Sequence, residues 1–320
     1  MKNFFRILAI LAVLFVMPSC DKSGQTPDSP LHEKPQPKPE PVQPSRGLSI
    51  LFIGNSFTMD SVSHLPGMLS AAGIKDVHMV HMYYGGRLVQ QYYQGWKTSS
   101  DYTKYECGPG STVWTTTKNQ NLSQVAAGKQ WDIVVIQEHT GSKYAWAWND
   151  AAKANFEGLI KCVKDCQNKT PKFYYLLSQA YQNNEKIGNG SKPNVTWTDH
   201  KGMWEVVAAF GKKVMASLPF DGIISTGAML ENLRTTSLNN DLGLTRDGYH
   251  MDNGLARYGA SCTIFETIFT PIYNITLDKN TYRYNVNAVG TTPVTDANAP
   301  VALEAARQAI KYPYTIIKIN

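Results

Sequence analysis

Short apolar runs and longer stretches of helical periodicity alternate along the chain from Leu48 onward. The short runs hold four to six residues, and apolar side chains, many of them β-branched or aromatic, dominate them. Runs of that length and composition are typical of buried strands. Five of them predict strands: Leu48–Ile53, Val77–Met82, Asp132–Ile136, Phe173–Leu177 and Gly222–Ser225.

Apolar residues spaced three or four apart predict helices between and after these strands. One helix is predicted over about Ser61–Ala72, and four others each present an apolar face: Phe156, Leu159, Ile160 and Val163; Met203, Val207, Phe210 and Val214; Leu255, Tyr258, Cys262, Phe265 and Phe269; and Leu303, Ala306 and Ile310 within Val301–Lys311. Strands that alternate with helices are parallel and buried on both faces. The sequence therefore predicts an α/β fold, a three-layer α/β/α sandwich with a mainly parallel sheet of about five strands. The active site of such a sheet lies at the carboxyl ends of its strands.

Two insertions interrupt the alternation. Residues 87–130 are rich in Tyr, Thr, Gly and Lys and predict a long loop or a small subdomain. The second insertion covers residues 271–292, where Ile275–Val286 contains a candidate hairpin around Asp278–Asn280. Both fall within one predicted domain that spans residues 48–320.

The first nineteen residues predict an export signal. Lys2 and Arg6 precede Ile7–Met17, an unbroken run of 11 apolar residues that is too short to span a bilayer comfortably. The segment ends in Pro-Ser before Cys20 and resembles a bacterial lipobox, which implies cleavage before Cys20 and acylation of its thiol. A plain signal peptide followed by a coincidental cysteine is the alternative. The resemblance implies an exported protein, lipid-anchored to the cell envelope and either periplasmic or on the cell surface.

Residues 20–47 predict a disordered tether between this anchor and the domain. Seven prolines lie between Asp21 and Arg46, and large apolar side chains are almost absent there. Such a stretch buries too little surface to offset the chain entropy lost on ordering. The whole chain contains 42% hydrophobic and 18% charged residues, a composition that fits an ordinary globular protein.

Charge and cysteine content exclude several classes of function. The formal net charge of +6 comes without a cluster of Lys or Arg, so we predict no nucleic-acid partner. Cys107, Cys162, Cys166 and Cys262 remain in the exported domain, where disulfides are permitted in three complete pairings. Cys162 and Cys166 lie four residues apart on a predicted helix without any metal-ligand spacing around them, so we predict that these two are buried small side chains and that no metal is bound.

Two polar motifs stand at ends of predicted elements. Gly54-Asn55-Ser56 follows the first strand and precedes a helix, which places a serine hydroxyl at the carboxyl edge of the sheet. Taken alone, such a serine is more often a helix N-cap. Asp247 and His250, three residues apart just before the strongest helical stripe, can face the same way. A carboxylate that orients an imidazole, which in turn takes a serine proton, is the arrangement of a catalytic triad.

These motifs together resemble the SGNH (GDSL-like) hydrolase superfamily. Gly54-Asn55-Ser56 stands where that family has Gly-Asp-Ser, and Asp247-x-x-His250 matches its last block. Ile53-Gly-Asn-Ser-Phe-Thr, Tyr-Gly-Gly after the second strand, and Asp-Gly-Tyr-His look closest to a branch called DUF4886. The resemblance covers about residues 48–311 and implies the flavodoxin-like SGNH fold.

The resemblance also implies the roles of individual residues. Ser56 corresponds to the nucleophile, and Asp247 and His250 to its acid–base partners. The oxyanion would be held by the N–H groups of Ser56 and Gly86. The family's Asn after the third strand is not matched, and Gln137 is the replacement donor that this sequence offers.

Other side chains near these motifs are candidates for the site. His139 and Glu138 form a rival base and acid directly after the third predicted strand. Tyr144, Trp146 and Trp148 follow in the same loop and are predicted to face a substrate, although aromatic residues more often fill cores.

An ester hydrolase is the leading functional hypothesis. The resemblance implies removal of acetyl or other short acyl groups from a carbohydrate or small-molecule ester, with no cofactor. Its membrane contact would be through the lipid anchor alone, and acyl transfer would share the first half-reaction. The alternative is a catalytically weak carbohydrate-binding lipoprotein on the same scaffold, which the unmatched Asn favours. The oligomeric state does not follow from the sequence.

Overall fold

The computed structural model describes residues 47–140, 147–182 and 199–320, together with the backbone of two short strands at 186–187 and 195–196. The predicted signal peptide, the lipidation site Cys20 and most of the tether lie outside the described residues, as do Tyr144 and Trp146. No helix within the described ranges is both long and apolar enough to cross a lipid bilayer.

A seven-stranded sheet forms the centre of the domain, in the order β4-β3-β2-β1-β5-β6-β9. Its strands are β1 Ser49–Gly54, β2 His78–Tyr83, β3 Tyr102–Cys107, β4 Thr115–Gln120, β5 Ile133–Gln137, β6 Lys172–Leu177 and β9 Gly222–Ser225. Strands β2, β1, β5, β6 and β9 pair in parallel, and β1 is the middle strand of the seven. Strands β7, Lys186–Ile187, and β8, Val195–Thr196, form a separate antiparallel pair.

The five predicted strands are confirmed to within one residue at each end, but the sheet has two more strands than predicted. The additional pair, β3 and β4, lies in the first predicted insertion and extends the sheet antiparallel from β2. Its sequence is polar because β4 is an edge strand whose residues are almost all exposed. The signal of buried apolar strands is therefore missing there.

Helices cover both faces of the sheet. They are α1 Ser56–Val62, α2 Leu65–Ala71, α3 Val89–Gln94, α4 Leu122–Ala127, α5 Asp150–Lys164, α6 His200–Ser217, α7 Thr226–Leu233, α8 Leu255–Ile264, α9 Thr270–Tyr273 and α10 Ala299–Lys311. Helices α1, α7, α8 and α10 contact one another in one layer, and α3, α4 and α5 do so in another. Every residue of β1 is buried between the layers. The predicted three-layer α/β/α sandwich is thus confirmed.

Several helix boundaries differ from the prediction. Two helices, α1 and α2, take the place of the single helix expected over Ser61–Ala72, and the break lies at His64. The reason is Pro66: the residue before a proline disfavours helical geometry, and a proline suits the first turn of a new helix. The last apolar stripe is interrupted after α8 by a π-helical turn, Phe265–Phe269, before α9 begins.

The predicted hairpin around Asp278–Asn280 is wrong. Leu277–Lys279 forms a single 3₁₀ turn. The backbone N–H of Leu277 donates to a Glu266 carboxylate oxygen, and the Asn280 side chain donates to the Met68 carbonyl. These contacts hold the segment against α2 and the turn after α8, where they replace strand pairing.

All four cysteines of the domain are free thiols. Cys107 and Cys262 are buried, whereas Cys162 and Cys166, the pair predicted to be buried, are only half-buried. Among the described residues, no group of three or more His, Cys, Asp and Glu side chains is placed to hold a metal ion.

Candidate active site

Ser56 is the first residue of α1 and follows the central strand β1 by two positions. Asn55 caps the helix, because its Oδ1 accepts a hydrogen bond from the Phe57 N–H at 3.0 Å. The Ser56 hydroxyl therefore lies at the carboxyl edge of the parallel strands, half-buried. Ligand sites of open α/β sheets occur at this edge.

Asn55 links the turn that carries Ser56 to the carboxyl ends of the two neighbouring strands, β2 and β5. Its Nδ2 donates to the Arg87 carbonyl at 3.2 Å, in the loop after β2. Its backbone N–H donates to Gln137 Oε1 at 2.9 Å, at the end of β5. Asn55 is itself fully buried. The residue that departs from the Gly-Asp-Ser pattern thus fixes the turn on both sides.

Gln137 is fully buried and its side chain is used inside the protein. Oε1 accepts from the Asn55 N–H and from the Thr58 hydroxyl, the latter at 3.1 Å, while Nε2 donates to the Glu138 carbonyl. These bonds turn the amide towards the backbone. They contradict the prediction that Gln137 donates to an oxyanion.

Gly54→Ala is expected to destabilise the domain, because an added Cβ would collide with the Thr58 hydroxyl and lie 2.7 Å from Gln137 Oε1. Overpacking of this kind typically costs about 1–3 kcal/mol. Urea unfolding measures the loss. Gly108→Ala is the matched control, since its Cβ would meet no atom within 4 Å; an equal loss in both variants would contradict the packing argument.

Asp247 and His250 lie in a tight turn that presents them to each other. Asp247 Oδ1 accepts from the His250 backbone N–H at 2.8 Å, and Oδ2 lies 2.6 Å from His250 Nδ1. The Arg246 N–H donates to the His250 carbonyl at 3.0 Å, which closes the turn. The three-residue spacing brings carboxylate and imidazole together within one local loop.

The same imidazole reaches Ser56 across 194 residues of sequence. His250 Nε2 lies 2.8 Å from Ser56 Oγ. With Nδ1–H donating to Asp247, Nε2 is left as the acceptor for the serine proton. Partial burial opposes ionisation of Asp247, but hydrogen bonds from the His250 ring and backbone outweigh it and lower the pKa of this carboxyl. The predicted trio is therefore brought together in a hydrogen-bonded line.

Gly86 lies in the turn after β2, in the left-handed conformation with a φ of 68°. The neighbouring Arg87 carbonyl accepts the Asn55 side chain, so this turn is tied to the residue that precedes Ser56. The oxyanion role of the Gly86 N–H stays a prediction.

His139 and Glu138, the rival pair, do not bond through the imidazole. Glu138 accepts from the backbone N–H groups of His139, at 2.7 Å, and of Val89. His139 stacks on Phe57 with ring centroids 5.4 Å apart, and its Nδ1 has no hydrogen-bond partner among the described residues. Burial, helped by the charge of His250, lowers the pKa of His139 to about 4. Ser56 pairs with His250 instead.

Glu138→Gln is expected to flatten the pH dependence of folding stability. Burial raises the pKa of the Glu138 carboxyl from 4.5 to about 8, against the lowering effect of its two backbone hydrogen bonds. The folded protein then holds a proton that the unfolded chain releases in this window, so the free energy of unfolding falls as pH rises from about 4.5 to 8. Each pKa unit is worth about 1.4 kcal/mol. Urea unfolding at low and high pH should show a larger loss for the wild type than for the variant; equal losses would contradict the assignment.

The aromatic residues around His250 differ from those predicted. Trp148 packs against Phe156 and Phe210, with centroids 6.2 and 5.7 Å apart, and so contributes to packing between α5 and α6. Tyr249 lies much nearer the site, its ring centroid 4.3 Å from that of His250. Its position inside the Asp-Gly-Tyr-His motif is the signal that would have identified it.

Comparisons with known proteins agree with this fold. A DUF4886 family protein from Bacteroides uniformis ATCC 8492 superposes with a TM-score of 0.68 at 22% identity, over 85% of this chain and 98% of the other. A GDSL-like lipase from Bacteroides thetaiotaomicron VPI-5482 is more distant, with a TM-score of 0.36 at 14% identity, over 69% of this chain and 88% of the other. No curated protein matches the sequence.

The family model that matches the chain is the domain of unknown function DUF4886, over residues 49–307. The match contains both polar motifs and nearly all of the described sheet and helices. The chain therefore belongs to the DUF4886 family.

Proposed function

We propose that the protein is a serine hydrolase that cleaves esters. The observation that carries the proposal is the continuous line from Ser56 Oγ through His250 to the Asp247 carboxylate, with contacts of 2.8 and 2.6 Å. An isolated serine hydroxyl is a weak nucleophile, and an adjacent base with its own orienting carboxylate is what activates it.

The reaction has two steps, acylation of Ser56 and hydrolysis of the acyl-serine. Ser56 Oγ attacks the ester carbonyl while its proton moves to His250 Nε2, and Asp247 stabilises the imidazolium. The tetrahedral intermediate collapses, the alcohol leaves with that proton, and an acyl-serine remains. Water then attacks the acyl carbonyl, gives a proton to His250, and displaces Ser56, which recovers its proton as the acid departs.

Two backbone N–H groups, those of Ser56 and Gly86, hold the oxyanion in this proposal. The Gln137 amide is turned inward, so no third donor comes from that side chain. Loss of one oxyanion donor typically costs about 10²- to 10³-fold in kcat. We therefore expect modest turnover.

Acetyl and other short acyl esters of carbohydrates are the proposed substrates. The family resemblance favours this class, and the Tyr249 ring beside His250 gives a sugar an aromatic face close to the nucleophile. We also propose that a lipid on Cys20 tethers the protein to the cell envelope and makes its one membrane contact. No nucleic-acid partner is part of this proposal.

The test is hydrolysis of p-nitrophenyl acetate and of an acetylated oligosaccharide by the full chain. We expect turnover that Ser56→Ala abolishes and Ser63→Ala preserves. Ser63 is the matched control, because it lies at the other end of α1 and its hydroxyl donates to the Met59 carbonyl. Turnover that survives in Ser56→Ala would overturn the proposal.

A carbohydrate-binding lipoprotein with little or no catalysis is the second candidate, and the inward-facing Gln137 amide favours it. Sugar binding by calorimetry without ester turnover would identify this function. Addition of an alcohol acceptor separates acyl transfer from hydrolysis, since transfer would form a new ester in place of the free acid.

A further inference from the structure

Besides Asp247, a second carboxylate lies beside the turn from Arg246 to Met251 that holds Asp247 and His250 (the catalytic turn): Asp60 on α1, which is entirely buried. Asp60 follows Ser56 by four residues, which places both side chains on the same face of the helix, and none of its surface is exposed. We propose that Asp60 is a positioning residue, which holds the Asp247–His250 turn against α1 and thereby sets the distance from His250 Nε2 to Ser56 Oγ. This inference rests on the proposed function.

Asp60 contacts the turn on both sides of the catalytic pair. Its Oδ2 accepts from the backbone N–H of Met251 at 3.0 Å, directly after His250. Its Oδ1 accepts from Arg246 Nη1 at 3.0 Å, directly before Asp247, and the same nitrogen donates to the Met251 carbonyl. One carboxylate therefore joins the two ends of the turn to the helix that carries the nucleophile.

A third element completes the cluster. Arg257 on α8 donates to Asp60 Oδ1 from both Nε, at 2.9 Å, and Nη2, at 2.6 Å. Charge-assisted hydrogen bonds to a buried carboxylate are shorter and stronger than neutral ones. Removing one member of such a cluster leaves buried charge uncompensated, so the remaining groups must move.

The other side of the turn is held by a different part of the chain. Gln179 Nε2 donates to the Tyr249 carbonyl at 2.9 Å, and the Gln182 N–H donates to the Gly248 carbonyl at 2.8 Å. Both residues follow β6, so these bonds fix the turn to the sheet. Asp60 fixes the turn to α1 by hydrogen bonds, beside the edge-on contact of the Phe57 ring with His250, and the serine–histidine distance depends on α1.

Small errors in that distance matter for the rate. A displacement of about 1 Å between reacting groups can cost roughly 10²-fold. Asp60→Asn keeps the shape of the side chain but removes its charge. We expect kcat to fall about 10- to 100-fold with little change in KM, because Asp60 is fully buried and so is not accessible to a bound substrate.

Nuclear magnetic resonance of histidine labelled with ¹⁵N gives a readout that does not depend on activity. The His250 Nε2 signal, assigned by its absence from His250→Gln, reports the hydrogen bond with Ser56. We expect it to shift in Asp60→Asn. Arg246→Met is the second variant, in case Asp60→Asn does not fold: it removes the bonds from Arg246 to Asp60 and to the Met251 carbonyl, leaves the Asp60–Arg257 pair, and should lower kcat about tenfold.

Glu266→Gln is the matched control, since Glu266 also accepts from an arginine, Arg307, and from a backbone N–H, but away from the catalytic turn. It should leave kcat and the His250 signal unchanged. The positioning role is wrong if the folded Asp60→Asn variant has the same kcat and the same His250 signal as the wild type. The same criterion applies to Arg246→Met if Asp60→Asn does not fold. If the wild type lacks Ser56-dependent hydrolysis but the signal still shifts, the proposed function fails and the positioning role stands.

Discussion

Replacing Ser56 with alanine is expected to lower kcat for ester hydrolysis by about 10⁴- to 10⁶-fold. The variant loses the oxygen that forms the acyl-enzyme, while the Asn55 cap and the β1 turn keep their bonds, because none of them involves the Ser56 side chain. KM for the ester should change little. Steady-state kinetics with an activated acetyl ester measure both constants.

His250→Ala should cost about as much as Ser56→Ala, and the double variant should be no slower than either single variant. His250 Nε2 lies 2.8 Å from Ser56 Oγ, and in the proposed mechanism the two side chains share one proton transfer, so removing either would disable the same step. Unfolding in urea checks that all three variants remain folded. Losses that multiply in the double variant would show that the two residues act independently and would contradict a shared step.

Asp247→Asn is expected to lower kcat about 10⁴-fold even though the shape of the side chain is retained. The carboxylate accepts from His250 Nδ1–H and so selects the tautomer in which Nε2 is free to take the serine proton. An amide nitrogen in that place donates to Nδ1, which leaves Nε2 protonated and unable to act as a base. The lowered pKa of Asp247 is consistent with an ionised carboxylate at neutral pH.

Asp296→Asn is the control for this variant, because Asp296 is almost fully exposed and pairs only with Arg283 among the ion pairs of the described residues. It should leave the rate unchanged, as expected for an exposed pair. A loss below tenfold in Asp247→Asn would mean that Asp247 does not orient His250 during the reaction.

The parts of the fold that could be predicted are those whose burial shows in the sequence. Strands β1 and β5 are apolar along their length because helices cover both faces of the sheet, and the apolar pattern located each to within one residue. Strand β4 was not predicted, because an exposed edge strand has no buried apolar face that would show in the sequence. Its pairing with β3 depends on backbone hydrogen bonds, which do not require particular side chains and so leave no pattern in the sequence.

Local motifs also allowed part of the candidate site to be predicted. Asp247 and His250 are three residues apart, so their contact could be anticipated from one turn, and the family resemblance linked them to Ser56. Gln137 could not be assigned in this way, because the direction of its amide depends on bonds from Asn55 and Thr58, in the neighbouring turn and helix. Asp60 was missed for a similar reason, since its partners come from two distant segments.

The most direct test of the account is the site of covalent labelling by a fluorophosphonate. The reagent is attacked by an activated serine and leaves a stable phosphonyl adduct. We expect one adduct per chain on the peptide that contains Ser56, found by mass spectrometry of the digested protein and absent from His250→Ala. An unlabelled wild-type protein, or an adduct on another residue, would contradict the catalytic role of Ser56.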